Sequence, residues 1–190
     1  SATPMEFDDQ GICMGCRASE AKKAISETEW KRREGLLIEL LEKYKCQDGS
    51  RHDCVIAVGG GKDSYFQVHY IKNVLGYNPL LVTYHSNNYP PAGNRNLYKM
   101  REVFDCDHVI VYPNVNLLKR LNRLGLIVMG DPNYHNHIGM PTTVWQEAAS
   151  RKIPLMLWGE HGYLDLCGQF SMNDFVEFTY RHRVEHFCRG

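Results

Sequence analysis

The chain has 190 residues, of which 43% are hydrophobic and 23% charged, a balance that excludes disordered and fibrous proteins and suits one globular domain. Lys plus Arg and Asp plus Glu both number 22, so the formal net charge is zero and no general attraction to nucleic acid or anionic lipid is expected. The sequence has no apolar run of about 18 residues and no charged-then-apolar leader, which predicts a cytoplasmic protein without a membrane span.

The first 27 residues lack hydrophobic periodicity and are predicted to form a loop-rich segment around Cys13 and Cys16. These two belong to a set of seven cysteines that are otherwise scattered, which favours reduced thiols over a disulfide scaffold. A Cys-x2-Cys pair is half of a zinc site. We expect residues 28–190 to form the main domain, beginning with an amphipathic helix that ends near Tyr44.

From residue 54 onward, short apolar runs alternate with helical patterns. The predicted strands are residues 54–58, 80–84, 108–112 and 154–158. The predicted helices are residues 63–75, 94–104, 115–124, 142–151 and 174–186, with a loop over 129–140. Strands separated by helices of this length pair in parallel through right-handed crossovers. The sequence therefore predicts an α/β fold with a doubly wound parallel sheet, whose ligands bind beyond the carboxyl ends of the strands.

A Gly-Gly-Gly-Lys-Asp-Ser sequence over residues 59–64 lies between the first predicted strand and the helix that follows. Glycines let backbone N–H groups close around phosphate oxygens, and the helix N-terminus adds partial positive charge. Lys62 can add charge, Asp63 can help to hold Mg²⁺, and Ser64 can donate its hydroxyl. The motif predicts a phosphate-binding loop, although the same glycines would also suit a simple strand-to-helix turn.

The motif differs from both the Walker sequence and the dinucleotide Gly-x-Gly-x-x-Gly. It resembles the PP-loop of the ATP pyrophosphatases, Ser-Gly-Gly-x-Asp-Ser, with Gly59 at the position of the first Ser. The resemblance implies that ATP is split to AMP and pyrophosphate while a substrate carbonyl oxygen takes the AMP.

A narrower resemblance covers nearly the whole chain, from about residue 3 to residue 190. The blocks that carry it are residues 53–65, 78–84, 87–89, 95–97, 121–125, 129–131 and 158–162. They are similar to the N-acetyl sugar amidotransferases of bacterial surface-polysaccharide (lipopolysaccharide, O-antigen) synthesis. This resemblance implies conversion of a sugar acetamido group to an acetamidino group, with ATP consumed, Mg²⁺ as its cofactor and ammonia as the nucleophile.

The same resemblance implies partners and a longer chain. Ammonia would come from a glutaminase through a channel-forming subunit, like the pair used in histidine synthesis. Members of the family run well beyond 190 residues, so this chain is expected to be part of a longer enzyme. Related chains carry a second Cys-x2-Cys before a Phe-Asp-x-x-Gly-x-Cys segment, which residues 7–13 match, and that pair would lie before Ser1.

Other candidate site residues follow the predicted strands. The expected nucleotide-binding residues are Gly59, Gly60, Gly61, Lys62, Asp63, Ser64, Thr83, Tyr84 and His85. The expected catalytic residues are Lys62, Asp63, Glu160 and His161. Asn87 and Asn88 bind substrate in one interpretation and form a simple turn in the other, while Arg95 lies on a helix whose charges either face solvent or contact a phosphate.

His135 and His137 offer two further nitrogen ligands in the predicted loop. Residues two apart in an extended segment point to opposite faces, so binding one metal would require a turn, and a substrate-loop role is the alternative. Two other functions remain open for the whole chain. A PP-loop tRNA-thiolating enzyme would also use ATP and a cysteine pair, and a non-catalytic subunit would bind ATP without turnover.

Overall fold

The structure, a computed structural model, describes residues 7–159. Its α-helices are α1 (Met14–Lys23), α2 (Glu27–Tyr44), α3 (Lys62–Val68), α4 (Pro91–Phe104), α5 (Val115–Met129) and α6 (Tyr134–Ser150). Its strands are β1 (Cys54–Ala57), β2 (Pro79–Tyr84), β3 (His108–Val111) and β4 (Met156–Leu157). Within the described residues, no helix combines the length and apolarity needed to cross a bilayer. The chain divides into two compact units, one of which is Leu37–Gly159 and holds the sheet.

The four strands form one parallel sheet in the order β3-β2-β1-β4. The central strand β1 pairs with β2 on one side and with β4 on the other, so that Ile56 lies between Leu81 and Leu157. β1 and β2 are almost wholly buried, as expected for apolar strands of a parallel sheet. The prediction of an α/β fold with a parallel sheet is confirmed.

Helices cover both faces of the sheet because successive side chains of β1 point to opposite sides. On one face, Ile56 joins a core that includes Val68 of α3 and Met100 of α4. On the other face, Val55 packs in a second core with Val144 of α6. The sheet is therefore doubly wound, as predicted.

The helix after β1 changes its hydrogen-bonding pattern halfway along. Residues 63–75 were predicted as one helix, and the structure forms α3 followed by a π-helix over His69–Val74. At its end the Leu75 N–H donates to the Tyr70 carbonyl over 2.9 Å, one residue farther back than in an α-helix. Nothing in the hydrophobic pattern distinguishes the two helix types.

The prediction of a loop-rich N-terminal segment is wrong for the part that forms α1. This helix has no apolar stripe, so periodicity gave no signal. It is built from good helix formers, with Lys22 and Lys23 in the last turn where the helix dipole favours cations. Arg17 adds an ion pair to Asp8 at 2.6 Å and another to Glu20 at 2.9 Å.

The predicted loop over 129–140 is also wrong in part, because α5 continues to Met129 and α6 begins at Tyr134. Gly139 and Pro141, two residue types that are unfavourable inside helices, both lie inside α6. A side chain at Gly139 would overlap the ring of Tyr84, so the glycine lets α6 pack closely on the end of β2. Helix packing therefore overrides the local preferences of glycine and proline.

His135 and His137 accordingly lie on a helix and not on an extended segment. His135 is buried, and its Nδ1 lies 2.8 Å from Oδ1 of Asn122. The exposed His137 instead has its Nδ1 2.7 Å from Oδ2 of Asp131. Their different partners show that the two rings do not converge on one site.

The remaining differences concern the ends of elements. α4 begins three residues before its predicted start, with Pro91 in the first turn, where a missing N–H costs nothing. β4 is limited to Met156–Leu157, although residues 154–158 were predicted as strand. The predicted helix over 174–186 lies outside the described residues.

A partly buried histidine, His108, connects β2 and β3 and makes stability depend on pH. The Thr83 hydroxyl donates to the Val58 carbonyl over 2.6 Å, and His108 Nε2 lies 2.9 Å from the same hydroxyl oxygen. Burial lowers the pKa of His108 from 6.5 to about 4. The unfolded chain therefore binds a proton more readily than the folded one between these pH values.

We expect the free energy of unfolding to decrease as pH falls from 6.5 toward 4, with His108 contributing at most about 1.4 kcal/mol per pH unit. The His108→Gln variant lacks this titration and should lose less stability over the same range. Urea unfolding of both proteins at pH 7, 6 and 5 measures the difference. Parallel stability curves for the two proteins would contradict the assignment.

Candidate functional site

The glycine loop, defined here as residues 59–61, follows β1 and leads into α3. Gly60 has a φ of +76°, in the left-handed region that favours glycine. A Cβ at Gly60 would lie 2.8 Å from the backbone N and Cα of Leu97 in α4. Gly61 differs, with a φ of −83° and open space around its Cβ position. Close packing against α4 thus requires glycine at position 60 and not at position 61.

The polar residues after the glycine loop are accessible. The Gly59 N–H donates to Ser64 Oγ over 3.0 Å, which leaves the Ser64 hydroxyl proton for another acceptor. Lys62 Nζ lies 2.8 Å from Asp63 Oδ1, and the two side chains are 89% and 69% exposed. Such an exposed ion pair is weak, so both groups can turn toward a ligand at little cost.

The glycine loop lies where the strand order reverses. The chain runs from β1 to β2 on one side of the sheet, while β4 pairs with β1 on the other. Open α/β sheets bind ligands in the crevice at this point. The first N–H groups of α3, which have no partner within a helix, begin there. Together these features place backbone N–H donors at the crevice.

Gln67 of α3 lies close to the chain that leaves β4. A side chain on Gly159 would overlap the Gln67 amide, so the backbone there passes directly beside it. Gln67 Nε2 lies 3.4 Å from the Asp63 carbonyl, while its buried Oε1 has no hydrogen-bond partner within residues 7–159. Gln67 lies on α3 one turn after Asp63, and the sequence gives no signal of its contact with Gly159.

Three aromatic rings pack against one another beyond the ends of β2 and β3. The buried His85 ring lies 4.8 Å from Tyr89 and 4.5 Å from Tyr112, measured between ring centroids. His85 Nδ1 accepts from the Asn87 N–H over 3.1 Å, so its Nε2–H donates to Asn94 Oδ1 over 3.0 Å. His85 is thereby held in one orientation and one tautomer.

Thr83, Tyr84 and Asn87 were also predicted to lie in the site, and each already contacts another part of the protein. The Thr83 hydroxyl is buried and bonded within the sheet, and the Tyr84 ring packs near His135 with centroids 6.0 Å apart. Asn87 has a positive φ of 62° and donates to the His85 carbonyl over 3.3 Å. These contacts leave Thr83 with no free hydrogen-bonding proton.

Four further predicted residues are either exposed or outside the described part of the chain. Asn88 is exposed and accepts a hydrogen bond from the Ser86 hydroxyl. Arg95 is exposed on α4 and has no ion-pair partner within the described residues. The predicted catalytic residues Glu160 and His161 lie outside the described residues.

Cys13 and Cys16 lie together at the start of α1, in the other unit of the chain. A hydrogen bond from the Cys16 backbone lowers the pKa of Cys13, and the hydrogen bond between the two thiols raises that of Cys16. Within residues 7–159, no group of three or more His, Cys, Asp or Glu side chains can hold a metal ion. The described residues thus contain a cysteine pair, which is fewer than the four ligands of a structural zinc site.

Comparison with known proteins found no match in sequence and distant likenesses in structure. No protein-family model and no curated protein matches the sequence. The chain is similar in structure to NMN synthetase from Francisella tularensis, with a TM-score of 0.46 and 14% sequence identity. The similarity covers 67% of this chain, which spans about half (52%) of that structure.

The two glycines allow a matched test of the loop geometry. Gly60→Ala should lower the free energy of unfolding by about 3 kcal/mol, because it combines a left-handed backbone with overlap against Leu97. Gly61→Ala should cost less than about 1 kcal/mol, since its Cβ meets open space and only the helix cap is altered. Urea unfolding measures both. Equal losses would contradict the close approach of α4.

Proposed function

We propose that this chain is an ATP-using enzyme of the PP-loop type. The observation that carries the proposal is the position of the glycine loop, which follows the central strand at the reversal of strand order and precedes a helix N-terminus. Gly60 supports it, because its left-handed backbone and its contact with α4 preform the loop before any ligand arrives. Preformed donors cost no reorganisation when a phosphate binds.

Ser64, Lys62 and Asp63 would act on the triphosphate. The Ser64 hydroxyl has a proton available for a phosphate oxygen, and Lys62 brings an exposed ammonium beside the loop. Asp63 fits Mg²⁺, which proteins usually hold through one or two carboxylates together with the substrate phosphates. The metal would neutralise phosphate charge, while Lys62 and Ser64 orient the chain of phosphates.

The proposed substrate is the N-acetyl group of a sugar, which the resemblance of the sequence blocks suggests. The amide oxygen attacks the α-phosphorus of ATP, the bond to pyrophosphate breaks, and the amide nitrogen gives up its proton. Ammonia then adds to the activated carbon, and the C–O bond breaks as AMP leaves with the oxygen. The product is an acetamidino group. Positioning and charge stabilisation would supply most of the rate enhancement.

The proposal also assigns substrate-binding residues, catalytic residues and partner subunits. Asn87, Asn88 and Arg95 lie along the rim beyond β2 and are proposed to contact the sugar or its phosphate. Glu160 is proposed to hold Mg²⁺ or to orient the sugar, and His161 is proposed to act as an acid or base. A glutaminase and a channel-forming subunit would deliver ammonia, and the product would enter cytoplasmic synthesis of a bacterial surface polysaccharide.

The first test is pyrophosphate release from ATP and Mg²⁺ with a panel of N-acetylated sugars and ammonium. We expect release that depends on one sugar, together with AMP and a sugar product one mass unit lighter, because NH replaces O. Asp63→Asn should slow release about 100-fold, as expected when one electrostatic group is lost at a reacting centre. Glu39→Gln removes the same charge from an exposed position on α2 and should leave the rate unchanged.

Three results would contradict the proposal in different ways. ATP binding without pyrophosphate release from any sugar would indicate a non-catalytic ATP-binding subunit. Release stimulated by tRNA in place of a sugar would indicate a thiolating enzyme. An Asp63→Asn variant as active as the wild type would show that the Asp63 carboxylate takes no part in the reaction.

A further inference from the structure

The glycine loop offers a ligand few side-chain donors of its own. Positions 59–61 carry no side chains, and the backbone N–H of Gly59 is already bonded to Ser64 Oγ over 3.0 Å. A phosphate oxygen above Gly59 would therefore find no donor from that residue. Any hydrogen bond from this side of the loop must come from a neighbouring segment.

The phenol of Tyr89 lies at this place. Its hydroxyl is 3.6 Å from the position that a Cβ on Gly59 would occupy. Within residues 7–159 this hydroxyl makes no hydrogen bond to another group, although it is the polar end of a half-buried side chain. It is therefore a free donor beside the one glycine whose N–H is already engaged.

The ring of Tyr89 is held in position from two sides. The ring packs against His85 with an interplanar angle of 31°, and His85 is itself fixed by hydrogen bonds to Asn87 and Asn94. On the other side, a Cβ on Gly93 would lie only 3.2 Å from Tyr89 Cδ1. The missing side chain at Gly93 makes room for the ring, so the hydroxyl position is set by packing.

The protonation of Tyr89 suits a donor. Burial raises the pKa of Tyr89 above its ordinary value of 10, so the phenol keeps its proton at neutral pH. A neutral phenol can donate to a phosphate oxygen without adding like charge to the site. A hydrogen bond to a charged acceptor is also stronger than one between neutral groups.

We infer that Tyr89 is a further ligand-binding residue, whose hydroxyl donates a hydrogen bond to a phosphate oxygen of the nucleotide in the glycine loop. The inference rests on the proposed function, because it requires a phosphate ligand there. It assigns to a tyrosine outside the loop the side-chain contact that Gly59 cannot make. A serine at position 59 would place its hydroxyl one bond beyond Cβ, close to the same point.

The test measures binding of MgATP and of inorganic pyrophosphate to the full chain by isothermal titration calorimetry. Tyr89→Phe removes one oxygen and should weaken both ligands about 10-fold, the effect of one hydrogen bond to a charged group. Adding Gly59→Ser to this variant should restore most of the affinity. Position 59 tolerates serine because its φ lies outside the left-handed region and its Cβ has only an ordinary contact.

Tyr98→Phe is the matched control. Tyr98 lies on α4, and its hydroxyl is hydrogen bonded to the Tyr112 hydroxyl and not to the glycine loop. The affinity for both ligands should therefore stay unchanged. Thermal unfolding of each variant checks that the fold is retained.

The outcomes separate the inference from the proposed function. Wild-type protein that binds neither MgATP nor pyrophosphate overturns the proposed function and the inference with it. Normal binding by wild type and by Tyr89→Phe overturns the inference alone. A loss that Gly59→Ser fails to restore, or that Tyr98→Phe reproduces, assigns the effect to ring packing and likewise overturns it.

Discussion

The close approach of α4 to Gly60 is the constraint on which the rest of the site depends. The backbone of Leu97 occupies the space where any other residue at position 60 would carry its Cβ, and the positive φ of Gly60 has the same requirement. The contact is reinforced nearby, since the Tyr65 hydroxyl donates to the Asn96 carbonyl over 2.8 Å. The glycine loop is therefore held between β1 and α4 and does not rely on a ligand for its shape.

This constraint also brings the residues after β2 to the loop. α4 follows the segment that carries His85 and Tyr89, so a helix docked on Gly60 places that segment at the same edge. The absence of a side chain at Gly93 lets the Tyr89 ring fit between α4 and His85. Two glycines, at positions 60 and 93, thus serve a single packing arrangement in which a tyrosine reaches the loop.

Much of the fold could be predicted from the sequence, because the strands are short apolar runs and the helices between them are amphipathic. The position of the glycine loop after the first strand followed from the same pattern. α1 could not be found this way, since it has good helix formers without an apolar face. The start of α6 was also missed, because Gly139 is explained by the ring of Tyr84, which lies far away in sequence.

The site itself could be predicted only where its residues are local in sequence. Residues 59–64 form a continuous motif, and the structure keeps them together. Tyr89 reaches the glycine loop only through a tertiary contact, to which a single sequence gives no signal. Thr83 illustrates the opposite case, because its position at the end of β2 suggested ligand contact while its hydroxyl is engaged with Val58 and His108.

The site has a rigid wall, formed by the buried residues Thr83 and His85, and an exposed charged rim, formed by Lys62 and Asp63. His85 and Thr83 belong to buried hydrogen-bonded networks, where moving one group would leave others unpaired at substantial cost. The exposed pair of Lys62 and Asp63 has no such restraint, and solvent screens its attraction. A polyanion entering the crevice can therefore draw Lys62 away from Asp63 without disturbing the wall. Under the proposed function, the freed carboxylate would then be available to the Mg²⁺ that accompanies the phosphates.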